Sequence, residues 1–470
     1  MTVTVLSGEH VSGAMPEPTY TLKPLAADLP SAVSLTPADE VVPRCYIRHL
    51  YFYRNQAHTD DFMPTTKLVS ALHRALELYP LVYGRIHCRP DGRLELRHGE
   101  SDGVPVYVEQ AAYGFEVFGR SWPHAQTPAG LEPIGEVVPD ETLPLFLVKI
   151  TRLHNNEGVV IGTAGCHNMM DGHSIEILLQ AWAAISRGAL PDAPVLDRHL
   201  VRVTGQPQFR HPEFRWMHQA IEPPRHFGPL VLFHISEEKL AQLKAEASRP
   251  LIAEHQPSSV DRDTYARLSA DVAWISTNDA LCALIWRATI RARQLDPRHT
   301  TNLSIPIDAR GRFKPALPSN YFGNGSLGYE ATDEVHKLVS HPLSYVARLL
   351  RKQQQDTGSA AFLQSAINYL GTLPEHHRID HPFAALTGVD FLITNLRSFD
   401  FYDIDFGYGR AMQFRLPHDL LSVAAYIVNM PSSPDGNAGD GVQIFIGLDA
   451  DSMNRLCKDD EFNRYATMIG

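Results

Sequence analysis

The chain has 470 residues, of which 44% are hydrophobic and 20% are charged, and its formal net charge is −11. These ordinary globular values exclude wholesale disorder, and the length favours two domains, with three as the alternative. The acidic balance, without a long basic cluster, argues against sequence-independent binding of nucleic acid. It leaves room for an anionic ligand in a local basic pocket.

The cysteine pattern and the absence of targeting signals bear on the compartment. Five cysteines, at positions 45, 88, 166, 282 and 457, are scattered and form no CxxC pair. This predicts neither a disulfide framework nor a zinc site, and it favours a reducing compartment. The first residues lack a signal-peptide pattern, and no stretch of about 18 apolar residues is present. We expect a soluble, cytoplasmic protein without a metal and without membrane contact.

Predicted strands and helices alternate along the first 190 residues, which we interpret as an N-terminal domain. The predicted elements are a strand at 45–53, a helix at about 65–79, paired strands at 145–153 and 159–166, and a helix from about 172 to 186. This alternation is typical of an α/β fold.

Periodicity fails between residues 191 and 230, where proline is frequent. A structureless stretch of this length is unusual inside one domain, so we interpret it as a crossover to a second domain at 231–470. The second domain is predicted to contain a strand at 230–235, a helix from Ser236 to about 247, a long helix from about 278 to 293 capped by Ser276 or Thr277, and strands at 424–430 and 442–448.

A candidate catalytic histidine lies where a predicted buried strand turns into a helix. The segment runs from His167 to Asp171 and Gly172, and an imidazole presented there can act as a general base, since its ordinary pKa near 6.5 suits neutral pH. The spacing alone is weak evidence, because the chain holds 23 histidines and repeats this spacing in polar turns. Only His167 has an apolar strand before it and an apolar helix after it.

Several further blocks of sequence occur in a recognisable order around this motif. They are LTPAD at 35–39, YFYR at 51–54, LYPLVYGRI at 78–86, GCHNMMDGHS at 165–174, STNDALCALIWRATIRAR at 276–293, IPIDARGRFKPALPSNYFGN at 305–324 and DFGYGR at 405–410. In these blocks the chain resembles the BAHD acyltransferases, CoA-dependent enzymes of the chloramphenicol-acetyltransferase-like superfamily. The resemblance implies two similar chloramphenicol-acetyltransferase-like α/β domains with a channel between them.

The resemblance also implies an activity. Acyl-CoA would serve as co-substrate, with no permanently bound cofactor. His167 would take the proton from a hydroxyl or amine of a small-molecule acceptor as that group attacks the thioester, in a ternary complex without a covalent acyl-enzyme. Acetyl is the default donor, and the divergence from plant enzymes suggests a fungal member of specialised metabolism. A monomer is expected, since the channel forms within one chain.

Roles for other residues follow from the same resemblance. Within the catalytic motif Asp171 would be structural and would pair with Arg293; a solvated surface charge and an orienter of the imidazole are the alternatives. Asp405 and Gly407 would form a structural corner. Tyr408 stands where plant-type members have tryptophan, so it is either an oxyanion donor or part of that corner. The candidate CoA-binding residues are Ser276, Arg287, Arg310 and Thr394.

Other interpretations remain open. Cys166 beside His167 suggests a thiol nucleophile, although neighbouring strand residues point to opposite faces. His58 with Asp60 suggests part of an iron site, and a polar loop adds a second possible metal-binding group formed by His376, His377 and His381. For both groups a solvated loop is the simpler interpretation.

Three other functions are compatible with the same fold. One is transfer from a carrier-protein thioester, another is an intramolecular cyclisation, and the third is non-catalytic binding of a small molecule.

Overall fold

The computed structural model describes residues 17–25, 30–100, 102–119, 122–135, 137–216, 228–252, 259–374, 379–380, 388–418, 423–431 and 439–469. Two large mixed sheets with helices packed against them form the framework. The α/β prediction is therefore confirmed.

The first sheet has six strands in the order β1-β6-β7-β8-β3-β15. In that order the strands are Tyr20–Leu22, Val104–Gln110, Phe146–Arg152, Gly158–Cys166, Tyr46–Arg54 and Gln413–Arg415. The helices of this half are α1 (Pro37–Val41), α2 (Thr65–Leu76) and α3 (Gly172–Ser186), and a small sheet contains β2 (Ala32–Ser34), β4 (Arg85–Cys88) and β5 (Leu94–Arg97). The strands and helices predicted for this half are confirmed to within a few residues.

The second sheet has seven strands in the order β12-β11-β14-β16-β17-β10-β18. In that order they are Ser326–Glu334, Thr300–Asp308, Phe391–Asn395, Ala424–Asn429, Val442–Gly447, Leu230–Ile235 and Thr467–Met468. The helices of this half are α4 (Glu237–Ala247), α5 (Ser259–Asp271), α6 (Thr277–Arg293), α7 (Val335–Ser340), α8 (Leu343–Thr357), α9 (Ala360–Thr372), α10 (Ala450–Leu456) and α11 (Asp460–Asn463).

One strand crosses between the two halves of the chain. β15 belongs to the second half by position, yet it pairs antiparallel with β3, with Phe414 opposite Tyr51. The hydrophobic core around α2 and α3 likewise includes Leu232 and Phe445 from the second sheet. The proposed boundaries at residues 190 and 230 remain a prediction, and this strand exchange runs across them.

The segment predicted to be a structureless crossover makes specific contacts where it is described. Residues 191–216 contain a single helical turn, Arg198–Leu200, and a two-residue strand, β9 (Arg215–Trp216), which pairs with β13 (Ile379–Asp380). The backbone of Val195 forms a bridge with Tyr321. Within this segment Arg198 donates to the carbonyl of Met169, two residues after His167.

The sequence explains why a rigid turn forms at the end of β8. β8 is buried along its whole length, so its nine residues (GVVIGTAGC) form a central strand of the sheet. α3 begins directly after the turn because the Asp171 carboxylate accepts a hydrogen bond from the backbone N–H of Ser174, which is the standard helix N-cap. His167 to Met170 are thus confined between a strand and a capped helix.

Candidate active site

The backbone of the His167 turn is tied to neighbouring strand ends. The N–H of His167 donates to the carbonyl of Cys45 at 2.9 Å, and the N–H groups of Met169 and Met170 donate to the carbonyl of Cys166 at 3.0 and 3.1 Å. The imidazole is half-buried, and its Nδ1 has no hydrogen-bond partner among the described residues. Burial lowers the pKa of His167 below its usual value, although the charge of Asp171 opposes this. The lowered pKa favours the neutral form of the ring at pH 7.

Asp171 is fully committed to structural bonds. Its Oδ1 accepts from Ser174 N at 2.9 Å and from Arg310 Nη2 at 2.8 Å. Its Oδ2 accepts from Arg310 Nη1 at 2.8 Å and from Gly325 N and Ser326 Oγ at 3.0 Å each. Burial alone would raise the pKa of Asp171, but the Arg310 guanidinium holds that pKa well below its ordinary value. The carboxylate stays ionised and braces the start of α3.

The predicted pair between Asp171 and Arg293 is wrong. Arg293 ends the long helix α6 and donates to the backbone carbonyls of Val389 at 3.2 Å and Asp390 at 2.9 Å, with a further contact to the carbonyl of Gly388. It therefore holds the segment that leads into β14. Arg310, predicted as a CoA ligand, forms the ion pair with Asp171 instead. It lies two residues after the end of β11.

A second hold on the turn was missed by the sequence analysis. Asn324 donates from Nδ2 to the carbonyl of His167 at 2.8 Å and to Asp39 Oδ1 at 3.0 Å. Asp39 Oδ1 also accepts from Arg198 Nη1 at 2.7 Å, and Arg198 Nη2 donates to the carbonyl of Met169 at 2.7 Å. Asp39 lies in the LTPAD block and Asn324 in the YFGN block. Both blocks contribute to the resemblance to the BAHD family, but nothing in the sequence links these two residues to His167.

Gly172 is the first residue of α3 and lies against a crossing segment from the second half of the chain. A Cβ at Gly172 would be 3.1 Å from the ring of Phe399, which is tighter than nearly all real Cβ contacts. Glycine therefore permits the close approach of residues 396–401 to the His167 turn.

The DFGYG block forms a corner at the opposite end of α3. Asp405 Oδ1 accepts from the backbone N–H groups of Gly407, Tyr408 and Gly409 at 2.7, 3.1 and 3.0 Å, and both glycines adopt positive φ. The carbonyl of Phe406 accepts from Ser186 Oγ, at the last residue of α3. The structural roles predicted for Asp405 and Gly407 fit this geometry.

The same position excludes Tyr408 as an oxyanion donor. α3 has 15 residues and is about 22 Å long, with His167 before its first residue and this corner at its last. The ring of Tyr408 packs on Phe62 and under the ammonium group of Lys67, whose Nζ is 4.8 Å from the ring centroid. Of the two alternatives for Tyr408, the structure fits the corner and not the oxyanion donor, because the corner lies a helix length away from His167.

The remaining CoA candidates have separate surroundings. Ser276 caps α6 in a capping box with Asp279, and its hydroxyl donates to Asp279 Oδ2 at 2.8 Å. Arg287 pairs with Glu461 at 3.0 Å and donates to the carbonyl of His341. Thr394, near the end of β14, is half-buried, and its hydroxyl makes no hydrogen bond within the described part of the chain.

The alternative site residues do not assemble into a centre in the described residues. Burial raises the pKa of the Cys166 thiol to about 12, which keeps it protonated. Within the described ranges no three or more His, Cys, Asp or Glu side chains are placed to hold a metal ion, and this includes the loop of His58 and Asp60. His376, His377 and His381 lie outside the described residues.

Comparison with known proteins gives the family. A family model described as "Transferase family" matches residues 19–463. The chain is a member of this BAHD acyltransferase family. It is 26% identical over 427 residues to a hydroxycinnamoyltransferase from Narcissus pseudonarcissus, covering 89% of this chain and 93% of that one. It is also 26% identical over 448 residues, with the same coverage, to hydroxycinnamoyl-CoA:5-hydroxyanthranilate N-hydroxycinnamoyltransferase HHT4 from Avena sativa.

The fold of the BAHD family is also found in a solved structure. The crystal structure of TRI101 from F. sporotrichioides, complexed with coenzyme A and T-2, matches with a TM-score of 0.76 at 20% identity and covers 93% of this chain and 100% of that one. Membership confirms the expectation of an acyl-CoA-dependent O- or N-acyltransferase with acyl-CoA as co-substrate. In the described residues, no helix is both long and apolar enough to cross a bilayer.

Proposed function

We propose that this BAHD member transfers an acyl group from acyl-CoA to a hydroxyl or amine of a small specialised metabolite, with His167 as the general base. The observation that carries the proposal is the two-sided hold on the His167 turn. Arg310 fixes Asp171 after the turn, and Asn324 fixes the carbonyl of His167 itself. A base that must meet two substrates gains from such rigidity, because small displacements of reacting groups cost large factors in rate.

In the proposed step, the acceptor oxygen or nitrogen attacks the thioester carbonyl while a ring nitrogen of His167 takes the acceptor proton. The tetrahedral intermediate then expels the CoA thiolate, which receives the proton from the imidazolium and leaves as the free thiol. A covalent acyl-enzyme is not needed, since the thioester is already activated. The raised pKa of the neighbouring Cys166 thiol supports this direct route, because the reactive thiolate is absent at neutral pH.

Two acyl groups are proposed as candidates for the donor. Acetyl is the default, and the names of the two plant relatives add hydroxycinnamoyl as a second donor to test. Thr394 is the candidate CoA contact that keeps a free hydroxyl, whereas the guanidinium groups of Arg287 and Arg310 are occupied by carboxylates. The monomeric state and the cytoplasmic location remain predictions.

The deciding experiment measures release of free CoA from acetyl-CoA and hydroxycinnamoyl-CoA with a panel of alcohols and amines. We expect His167→Ala to lower kcat/KM by about 10²- to 10⁴-fold. The matched control is His336→Ala, which removes a half-exposed histidine and leaves the rate unchanged. Full transfer by His167→Ala would contradict the assignment. Transfer only from a carrier-bound thioester would favour that alternative donor.

A further inference from the structure

Beyond the motif, α3 presents a buried carboxyl group to the crossing segment of the second half. The side chain of Glu176 is only 6% exposed. Its Oε1 accepts a hydrogen bond from the backbone N–H of Asp400 at 2.6 Å, and Gln180 approaches the same oxygen at 3.4 Å. Within the described ranges no lysine or arginine lies within ion-pair distance of this carboxyl. Ionisation of a buried carboxyl is costly without a cation, so a cation bound beside Glu176 would stabilise its charged form.

The second oxygen of this carboxyl shows where a cation is missing. Glu176 Oε2 lies 3.8 Å from Nδ1 of His173 and makes no hydrogen bond in the described part of the chain. Nε2 of His173 is 2.7 Å from the carbonyl of Ser319, so the hydrogen of the neutral ring is assigned to Nε2 and Nδ1 presents a lone pair. When Glu176 is ionised and His173 is neutral, two hydrogen-bond acceptors therefore face each other, and a donor that reached both would satisfy them.

Aromatic rings complete this environment. Asp400, which holds Oε1, stands between Phe399 and Phe401, whose ring centroids are 5.5 Å apart. The ring centroid of Phe401 is 6.4 Å from that of Tyr51. Burial is the main cause that raises the pKa of the Tyr51 phenol, and the charge of Glu176 also contributes, so the two side chains are close. A carboxylate and the face of an aromatic ring each attract an ammonium ion, and both kinds of group occur in this neighbourhood.

This group of residues also adjoins the reaction centre. A Cβ placed on Gly172, which follows the His167 turn directly, would be 3.1 Å from the ring of Phe399, and the ring centroids of Phe399 and His173 are 6.5 Å apart. His173 and Glu176 lie in the first two turns of α3. A cation held between them would orient an acceptor molecule near His167 without itself being acylated.

We propose that Glu176 Oε2, His173 Nδ1 and the ring of Phe399 form an ammonium subsite of the acceptor pocket. The acceptor is then a small molecule with a protonated amine in addition to the hydroxyl or amine that receives the acyl group. This inference rests on the proposed acyltransferase function and specifies its acceptor class.

The protonation of Glu176 gives the subsite a pH dependence. Burial raises the pKa of Glu176 to about 7; the hydrogen bond from Asp400 N–H opposes this rise, and the charge of Asp400 adds to it. The titratable groups that face it are His173 on α3, Tyr51 on β3 and Asp400 on the crossing segment. Since the carboxyl must be ionised to hold an ammonium ion, amine affinity rises as the pH increases through about 7.

The test measures binding and does not depend on turnover. Phenethylamine, which is an ammonium ion at pH 8, is compared with the neutral phenethyl alcohol by calorimetry on the full chain. We expect Glu176→Gln to weaken binding of the amine by about tenfold or more and to leave the alcohol unaffected. The variant keeps the bond from Asp400 and offers its amide N–H to His173, so it is expected to fold. The matched control is Glu246→Gln, at a surface pair with Arg249.

Two binding results would overturn the subsite. One is equal binding of amine and alcohol by the wild type, as expected if a protonated His173 already fills the gap. The other is unchanged amine binding by Glu176→Gln. His167→Ala separates this inference from the proposed function, because it should lose acyl transfer and still bind the amine. If the enzyme acylated neutral alcohols as well as alcohols that also carry an amine, the subsite alone would be refuted. If it bound the amine but transferred no acyl group to any acceptor, the acyltransferase proposal would be refuted.

Discussion

Asp171 and Arg310 are 139 positions apart in sequence and form a bidentate ion pair with both nitrogen–oxygen distances at 2.8 Å. Their side chains are only 2% and 4% exposed. The pair joins the start of α3, next to His167, to the segment that follows β11 in the second half of the chain. The position of the proposed base therefore depends on how the two halves fit together.

Removing Arg310 should leave a buried, unpaired carboxylate. We expect Arg310→Ala to lower the free energy of unfolding by about 3–5 kcal/mol. The reason is that the Asp171 carboxylate would stay buried without the cation that compensates the cost of removing it from water. Chemical denaturation measures this change. Arg298→Ala, at a pair where Arg298 is 88% exposed, is the control and should leave the midpoint of unfolding close to that of the wild type. Equal effects of the two variants would contradict the bracing role.

The same pair predicts an acid-sensitive component of stability. The folded pKa of Asp171 is held below its unfolded value of about 3.9, so the stabilisation is complete above that value. It is lost as the pH falls from there towards the folded pKa. The difference in unfolding free energy between the wild type and Asp171→Asn should therefore shrink below about pH 4. A difference that stayed constant down to about pH 2 would show that Asp171 is not ionised in the folded protein.

Asn324 tests the second hold on the turn. Asn324→Ala removes the hydrogen bond to the carbonyl of His167, and we expect kcat to fall by about 10- to 100-fold through misplacement of the ring. Far-ultraviolet circular dichroism and the thermal midpoint check that the fold persists. Asn320→Ala is a matched control, because its amide donates to the carbonyl of Ala193 and not to the turn. Wild-type kcat in Asn324→Ala would argue that the turn is rigid without it.

Because Tyr408 lies far from His167, we expect its hydroxyl to make no contribution to kcat. Tyr408→Phe should change kcat by less than about twofold, whereas loss of a true oxyanion donor costs about 10²–10³-fold. Asp405→Ala should instead destabilise the protein by about 1–3 kcal/mol, since three backbone N–H groups lose their acceptor. Steady-state kinetics with a neutral alcohol and thermal unfolding distinguish the two residues.

The pH–rate profile reports on His167. Because burial lowers the pKa of His167, kcat/KM for a neutral alcohol should rise with pH, and the midpoint of this rise should lie below about pH 6.5. A neutral acceptor avoids the separate titration expected at Glu176. An apparent pKa above about 7 would contradict a buried imidazole base.

Local features could be predicted from the sequence because they depend on neighbouring residues. The wholly buried β8, the capping Asp171 and the apolar stripe of α3 are all visible as short-range patterns, and together they locate the His167 turn. The cap of the long helix was expected at Ser276 or Thr277, and the structure shows Ser276 in a capping box with Asp279.

Long-range pairings could not be predicted in this way. Arg293 and Arg310 are both more than a hundred residues from Asp171, and sequence spacing contains no information on which of two guanidinium groups meets a carboxylate. Arg198 lies in a proline-rich segment without periodicity, so its contact with Asp39 could not be anticipated. The gap between His173 and Glu176 depends on Asp400, which arrives 224 residues later.

The exchange of β15 into the first sheet has a consequence for how the protein is made. A nascent chain that has emerged only as far as residue 190 would carry β3 as an open sheet edge, although eight of its nine residues are wholly or partly buried in the finished protein. Such an apolar edge is a template for pairing with other chains. The N-terminal half therefore completes its sheet only after about 415 residues have been synthesised, and an isolated 1–190 fragment is a poor candidate for soluble expression.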